Sequence, residues 1–125
     1  MYSYTDLDVY KVSMDLVTEI YAGTSSFPKE EIYGLAYQLR RCAVSIPSNI
    51  AEGAGRNSTK EFVHFLSISN GSLSEMETQL EIAHRLGFLT DKDKYLSYIK
   101  RIRVMLCSLL RSLTPKTGKR NIDEN

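Results

Sequence analysis

Apolar residues recur in alternating steps of four and three along this chain, most clearly at Ile32, Ala36, Leu39, Ala43, Ile46 and Ile50. That spacing winds one continuous stripe down an α-helix, whereas on a strand it would scatter the same residues over both faces. The pattern recurs at Phe62, Leu66, Ser69, Leu73, Met76, Leu80 and Ala83, and again at Tyr95, Ile99, Ile102, Leu106, Leu109 and Leu113. A first helix, from about Thr5 to Tyr21, carries Val9, Leu16 and Ile20 on one side. No segment reads as a strand. The chain is thereby constrained to bury helix against helix.

The punctuation between these stripes sets the topology. Thr5 or Asp6 is placed to cap the first helix, and Gly23-Thr24-Ser25-Ser26 ends it. Pro28 suits the first turn of a second helix starting at Phe27-Pro28, with Glu30 and Glu31 favourable near its positive end. Gly53-Ala54-Gly55 closes that helix, and Ser58-Thr59-Lys60-Glu61 reads as a capping box for the third, which runs to Gly87. Thr90-Asp91-Lys92-Asp93 opens the fourth and Thr114-Pro115 stops it. Short connections between long helices favour antiparallel neighbours. The expectation is an all-α, antiparallel up-down-up-down four-helix bundle over residues 1–114, followed by a disordered, initially basic tail over 115–125.

With 125 residues the chain is the size of one domain, large enough for a core without disulfides or metal. Cys42 and Cys107 fall within apolar helical patterns and read as reduced, buried packing residues, which points to a cytoplasmic protein. The opening residues do not resemble a signal peptide, and no apolar run is long enough to span a bilayer, so no membrane partner is expected.

Two features depart from an ordinary bundle. Pro47 lies inside the second stripe, where a missing N–H and a ring clash cost ~3 kcal/mol or more. A kink is expected there, with Ser45, Ser48 and Asn49 in a compensating role. Ser67, Ser69, Gly71, Ser72 and Ser74 make the middle of the third helix small and polar, which suits close approach of a neighbouring helix. Charge is also unevenly distributed. Residues 1–31 carry two basic and six acidic side chains, a net of −4, and residues 85–120 carry ten basic and two acidic, a net of +8. Such polarity fits an acidic partner, head-to-tail self-association, or solvated helix faces.

Catalytic signals are weak. Glu61-Phe62-Val63-His64 and Glu81-Ile82-Ala83-His84 have the Glu-x-x-His spacing of di-iron bundles, but they lie on one helix. Twenty helical residues place them about 30 Å apart, too far to share a metal. No nucleophile elbow or dinucleotide fingerprint is present, and neither cysteine has the spacing of a zinc site, so neither an enzyme nor a cofactor is expected. The more informative residues are basic. Arg40, Arg41, Arg56, Lys60, Lys100, Arg101 and Arg103 could contact nucleic-acid phosphates, and Tyr33 and Tyr37 precede the arginine pair at helical spacings that permit base stacking. The same tyrosines also suit a core rim or an interface.

Taken together, Leu7-Asp8-Val9-Tyr10-Lys11, Phe27-Pro28-Lys29-Glu30-Glu31-Ile32-Tyr33-Gly34-Leu35, Gln38-Leu39-Arg40-Arg41 and Val44-Ser45-Ile46-Pro47-Ser48-Asn49-Ile50-Ala51-Glu52-Gly53 resemble a known family. Ile20-Tyr21, Arg56, Ser58, Glu61-Phe62, Phe65-Leu66, Gly71-Ser72 and Glu75 extend the match across roughly residues 7–89. The family is the bacterial four-helix-bundle group encoded by intervening sequences in large-subunit ribosomal RNA genes, which includes the accessory variability protein of diversity-generating retroelements. The resemblance implies a homo-oligomeric ring, commonly a pentamer, with a basic surface for RNA or DNA and, in the retroelement member, a reverse transcriptase as partner. By position, Arg40, Arg41 and Arg56 fall on the family's basic motif residues. The leading expectation is a non-enzymatic, ring-forming accessory protein that binds nucleic acid. The competing one is a protein-binding scaffold whose arginines pair between subunits with Glu30, Glu31 or Glu52.

Overall fold

The computed structural model describes residues 3–114; the expected tail at 115–125 lies outside the described residues. Four helices account for the fold: α1 (Asp8–Thr24), α2 (Leu35–Ala54), α3 (Thr59–Arg85) and α4 (Lys92–Leu113). Each packs against its two neighbours around a square, α1 on α2, α2 on α3, α3 on α4 and α4 on α1, and the backbones of the diagonal pairs stay farther apart.

Side-chain register fixes the directions. Arg40, early in α2, reaches Thr24 and Tyr21 at the end of α1. Between α2 and α3, Cys42 and Ser45 meet Ser72, and Ser69 meets Ile46. Lys92 and Arg103 pair with Glu81 and Glu77, so α4 advances as its contacts on α3 recede. Lys94, at the start of α4, pairs with Glu19 near the same C-terminal end of α1. Every adjacent pair is antiparallel, the up-down-up-down bundle expected from the short connections.

The core is the set of stripes. Val9, Leu16 and Ile20 of α1, Leu39, Ala43, Ile46 and Ile50 of α2, Leu66, Leu73, Met76 and Leu80 of α3, and Ile99, Ile102 and Leu106 of α4 are buried. Phe62, Leu109 and Leu113 pack against that core while remaining partly accessible. Charged pairs line the α1–α4 and α3–α4 seams, so part of the charge polarity along the chain is satisfied within the bundle.

Several local expectations are corrected. Ser3, rather than Thr5 or Asp6, is the cap, and it serves a short 3-10 turn at Tyr4–Asp6 ahead of α1. The second helix does not begin at Phe27-Pro28. A 3-10 turn at Lys29–Glu31 leads to Gly34, and α2 starts at Leu35, whose N–H donates to Glu31 Oε1 at 2.8 Å. Ile32, counted in the α2 stripe, is consequently 58% exposed. Cys107 is exposed rather than buried, whereas Cys42 is buried.

Gly53-Ala54-Gly55 does close α2: the helix runs to Ala54 with Gly55 as its cap, and Gly53, still within it, is buried. A Cβ at Gly53 would sit 2.8 Å from Phe65 Cβ and 3.3 Å from the Phe62 carbonyl oxygen of α3. Ser58 does cap α3, its hydroxyl accepting from the Glu61 N–H. At the far end Gly87 takes φ +79°, and the Phe88 and Gly87 N–H groups donate to the Ala83 and His84 carbonyls, which closes α3 with a Schellman motif.

Pro47 is buried inside α2, which continues helical through it. Around it, side chains supply donors to main-chain carbonyls: Ser45 Oγ to Cys42, Asn49 Nδ2 to Ser45, and Ser69 Oγ of α3 to Ile46 at 2.9 Å. Of the small residues on α3, Ser69 and Ser72 meet α2 and hydrogen-bond it near the proline, whereas Ser67, Gly71 and Ser74 are exposed, and a Cβ at Gly71 would meet nothing within 4 Å.

Glu81 ties the α3–α4 corner. Lys92 Nζ and Arg85 Nε donate to its carboxylate at 2.7 and 2.8 Å, and these bonds lower its pKa from 4.5 to about 2. A carboxylate held below its ordinary value stabilises the fold above that value and loses the contribution as pH falls through the lowered one. Glu81→Gln should lower the melting temperature at neutral pH, with the gap to wild type closing between pH 4.5 and about 2. A gap that stays constant over that window contradicts the assignment.

Candidate nucleic-acid interface

The seven basic residues singled out in the sequence divide by what their side chains touch. Arg40 is half-buried: its Nε donates to Thr24 Oγ1 at 2.8 Å, another nitrogen reaches the Tyr21 carbonyl, and its guanidinium lies 4.7 Å from the Tyr21 ring centre. Arg56 pairs with Glu52 at 2.7 Å and Glu61 at 3.4 Å and lies over the Phe65 ring, joining the end of α2 to the start of α3. Arg103 makes a two-pronged contact with Glu77, at 3.0 and 3.1 Å, and also donates to Ser74 Oγ. These guanidiniums hold helices or turns together.

Arg41, Lys60, Lys100 and Arg101 are exposed, and none forms an ion pair among the described residues. They do not form one compact patch. Arg41 lies on α2, Lys60 in the first turn of α3, and Lys100 and Arg101 on α4, diagonal to α2. A polyanion meeting all four would have to pass around the bundle or meet more than one copy of it.

Arg41 has the richest setting. With Tyr33, Tyr37, Gln38, Cys42 and Ser45 of the α2 side and Ser72 and Glu75 of α3, it lines an open groove of about 550 Å³. The two tyrosines are 89% and 49% exposed. With its own proton on the Cys42 carbonyl, Ser45 Oγ accepts from Ser72 Oγ at 2.7 Å, and the Cys42 thiol donates to the Ser72 carbonyl. Burial, reinforced by Glu75, pushes the Cys42 pKa up to about 12, so this sulfur stays a protonated, weakly nucleophilic part of the wall. The sequence pointed to Tyr33, Tyr37 and Arg41 through their spacing. Gln38, Ser45, Ser72 and Glu75 were missed as a group because α3 brings two of them from about thirty residues away.

A second surface is apolar. Tyr10, Met14 and Val17 of α1 and Val44, Pro47, Ser48 and Ala51 of α2 line a shallow groove of about 310 Å³, with Met14 and Val44 exposed. His64 and His84 are both exposed, and among the described residues no three His, Cys, Asp or Glu side chains are grouped to hold a metal ion. No described helix is long and apolar enough to cross a membrane.

Comparison with known proteins places this architecture. The family profile described as 23S rRNA-intervening sequence protein matches residues 5–108. A 1.70 Å crystal structure of a protein of unknown function from the S23 ribosomal protein family of Bacteroides thetaiotaomicron VPI-5482 superposes with a TM-score of 0.75, at 22% identity, over 82% of this chain and 95% of that one. At that identity the likeness bears on the fold. Comparison with curated proteins gave no match.

Proposed function

Because this chain belongs to the 23S rRNA-intervening sequence protein family, we propose that it is a non-enzymatic accessory protein that self-associates and binds nucleic acid by charge and shape. The observation carrying the second part is that four of the seven basic residues singled out in the sequence, Arg41, Lys60, Lys100 and Arg101, are exposed and that no carboxylate of the described chain neutralises them; Lys11, Lys29 and Arg111 are likewise exposed and unpaired among the described residues. A cation already paired must give up its partner to bind a phosphate; these four need not, and each phosphate they neutralise releases condensed counterions. Arg40, Arg56 and Arg103 contribute by holding the scaffold that presents them.

The apolar α1–α2 groove supports the first part. Met14 and Val44 leave apolar area in water beside a buried proline, and a second copy would cover it. Distribution of the four cations over separate helices also favours an assembly, since several copies arranged around an axis would juxtapose patches that one bundle keeps apart. A ring, with a pentamer as the family-based expectation, is the form of this reading. The nucleic acid could be presented to a reverse transcriptase or held within a ribonucleoprotein particle.

Sedimentation velocity of the protein alone and with fluorescent RNA hairpin, duplex DNA and single strands tests both parts. A mass above one chain, and co-sedimentation that weakens with salt, support the proposal. Replacing Arg41, Lys60, Lys100 and Arg101 together by alanine should abolish co-sedimentation and leave the melting temperature unchanged. An oligomer that binds none of the probes at low salt would favour the protein-scaffold reading.

A further inference from the structure

We propose that the α2–α3 groove around Arg41 is a pocket for one unpaired guanine of a single strand. The inference rests on the nucleic-acid reading above and adds a ligand class to it. Tyr33, in the turn before α2, and Tyr37, in the first turn of α2, both line the groove and are 89% and 49% exposed. An aromatic face left open beside a cation without a carboxylate partner is the arrangement on which an unstacked base is held while its phosphate is neutralised. The groove, about 550 Å³, is within the ~300–1,000 Å³ of small-ligand clefts and large enough for one nucleotide.

The polar side chains that share the groove select the base. Glu75 and Ser72 come from α3, and Gln38 and Ser45 from α2. A carboxylate only accepts hydrogen bonds and has about four acceptor positions; Gln79 Nε2 occupies one at 3.3 Å. Guanine presents adjacent N1–H and N2–H donors to such a group. Uracil presents two carbonyls flanking a single N–H, so two of its three edge groups would face the carboxylate as like charge. Adenine and cytosine each place a ring nitrogen acceptor beside their amino group. A paired base cannot enter, because its edge is already engaged and its faces are stacked.

The test is fluorescence anisotropy at low salt with three labelled twelve-nucleotide probes: oligouridine, oligouridine carrying one central guanosine, and duplex DNA. The pocket predicts tighter binding of the guanosine strand than of oligouridine. Tyr33→Ala with Tyr37→Ala should weaken the guanosine strand about tenfold to a hundredfold, the loss expected for a base-stacking platform, with duplex affinity unchanged. Glu75→Gln should erase the preference for guanosine while retaining oligouridine binding. Both tyrosines are exposed, so melting temperatures of these variants should match wild type. Salt-dependent binding of all probes with no guanosine preference, or a preference that survives Glu75→Gln, overturns the pocket and leaves the broader reading standing. No binding of any probe by wild type overturns both.

Discussion

Gly53→Ala should destabilise the bundle by ~1–3 kcal/mol even though alanine is the better helix former by ~0.5–1 kcal/mol. The reversal comes from the α2–α3 crossing. A methyl group at Gly53 would sit 2.8 Å from Phe65 Cβ, 2.9 Å from the Phe62 ring and 3.3 Å from the Phe62 carbonyl oxygen. Two of those atoms belong to or adjoin the α3 backbone, so they cannot swing away as the end of a long side chain could. Relief requires the helices to part, which loosens the packing of Ile50 and Leu66 nearby. For a chain of this size the loss corresponds to a fall of roughly 4–15 °C in melting temperature.

Gly71 supplies the internal control. It also lies within a helix, α3, but a Cβ there meets nothing within 4 Å. Gly71→Ala should therefore follow propensity and stabilise by ~0.5–1 kcal/mol. Thermal denaturation of the two variants side by side checks the packing directly. Equal shifts of the same sign would mean that α2 and α3 do not approach as described.

The second large effect separates neighbours in the sequence. Arg41→Ala should weaken nucleic-acid binding and lower the salt slope by about the one phosphate contact it removes, ~0.7–0.9 in log–log units, without moving the melting temperature. Arg40→Ala should do the reverse. Its guanidinium holds Thr24, the Tyr21 carbonyl and the Tyr21 ring, and these bonds join the end of α1 to the start of α2. Their loss should cost ~1–2 kcal/mol, allowing for partial exposure, and lower the melting temperature by about 5–10 °C. Affinity measured well below that transition should change little. If Arg40→Ala instead releases nucleic acid with an unchanged melting temperature, the division of roles is wrong.

The bundle was legible because its information is local. The four-three stripes specify which faces are buried, and the short connections specify antiparallel neighbours. The start of α2 was misread for an equally local reason. Pro28 followed by Glu30 and Glu31 has the chemistry of a helix N-terminus, yet Glu31 spends its carboxylate on the Leu35 N–H and so caps α2 from outside it. Gly34 marked the break. Cys107 sits one residue past Leu106 and off the Ile102, Leu106, Leu109 stripe, so its exposure was also implied by periodicity, against the general tendency of free cysteine to be buried.

The candidate site was legible only in part. Arg56 has Glu52 four residues before it, a helical ion pair that spacing alone announces. Arg40 and Arg103 are engaged by Thr24 and Glu77, which lie 16 and 26 residues away and arrive through tertiary packing. Which arginines are left without a carboxylate partner is therefore a property of the folded bundle. The wall of the α2–α3 groove has the same origin, since Ser72 and Glu75 face Arg41 only once α3 has folded back along α2.

The central claim is that the unpaired cations, rather than the paired ones, form the nucleic-acid surface. Its most direct measurement is the slope of log Kd against log salt for a labelled single strand, on wild type and on the variant with Arg41, Lys60, Lys100 and Arg101 all replaced by alanine. Wild type should show a steep slope, and the variant a nearly flat one with weak affinity at every salt concentration while keeping its melting temperature. A variant that binds as tightly and as steeply as wild type would contradict the account.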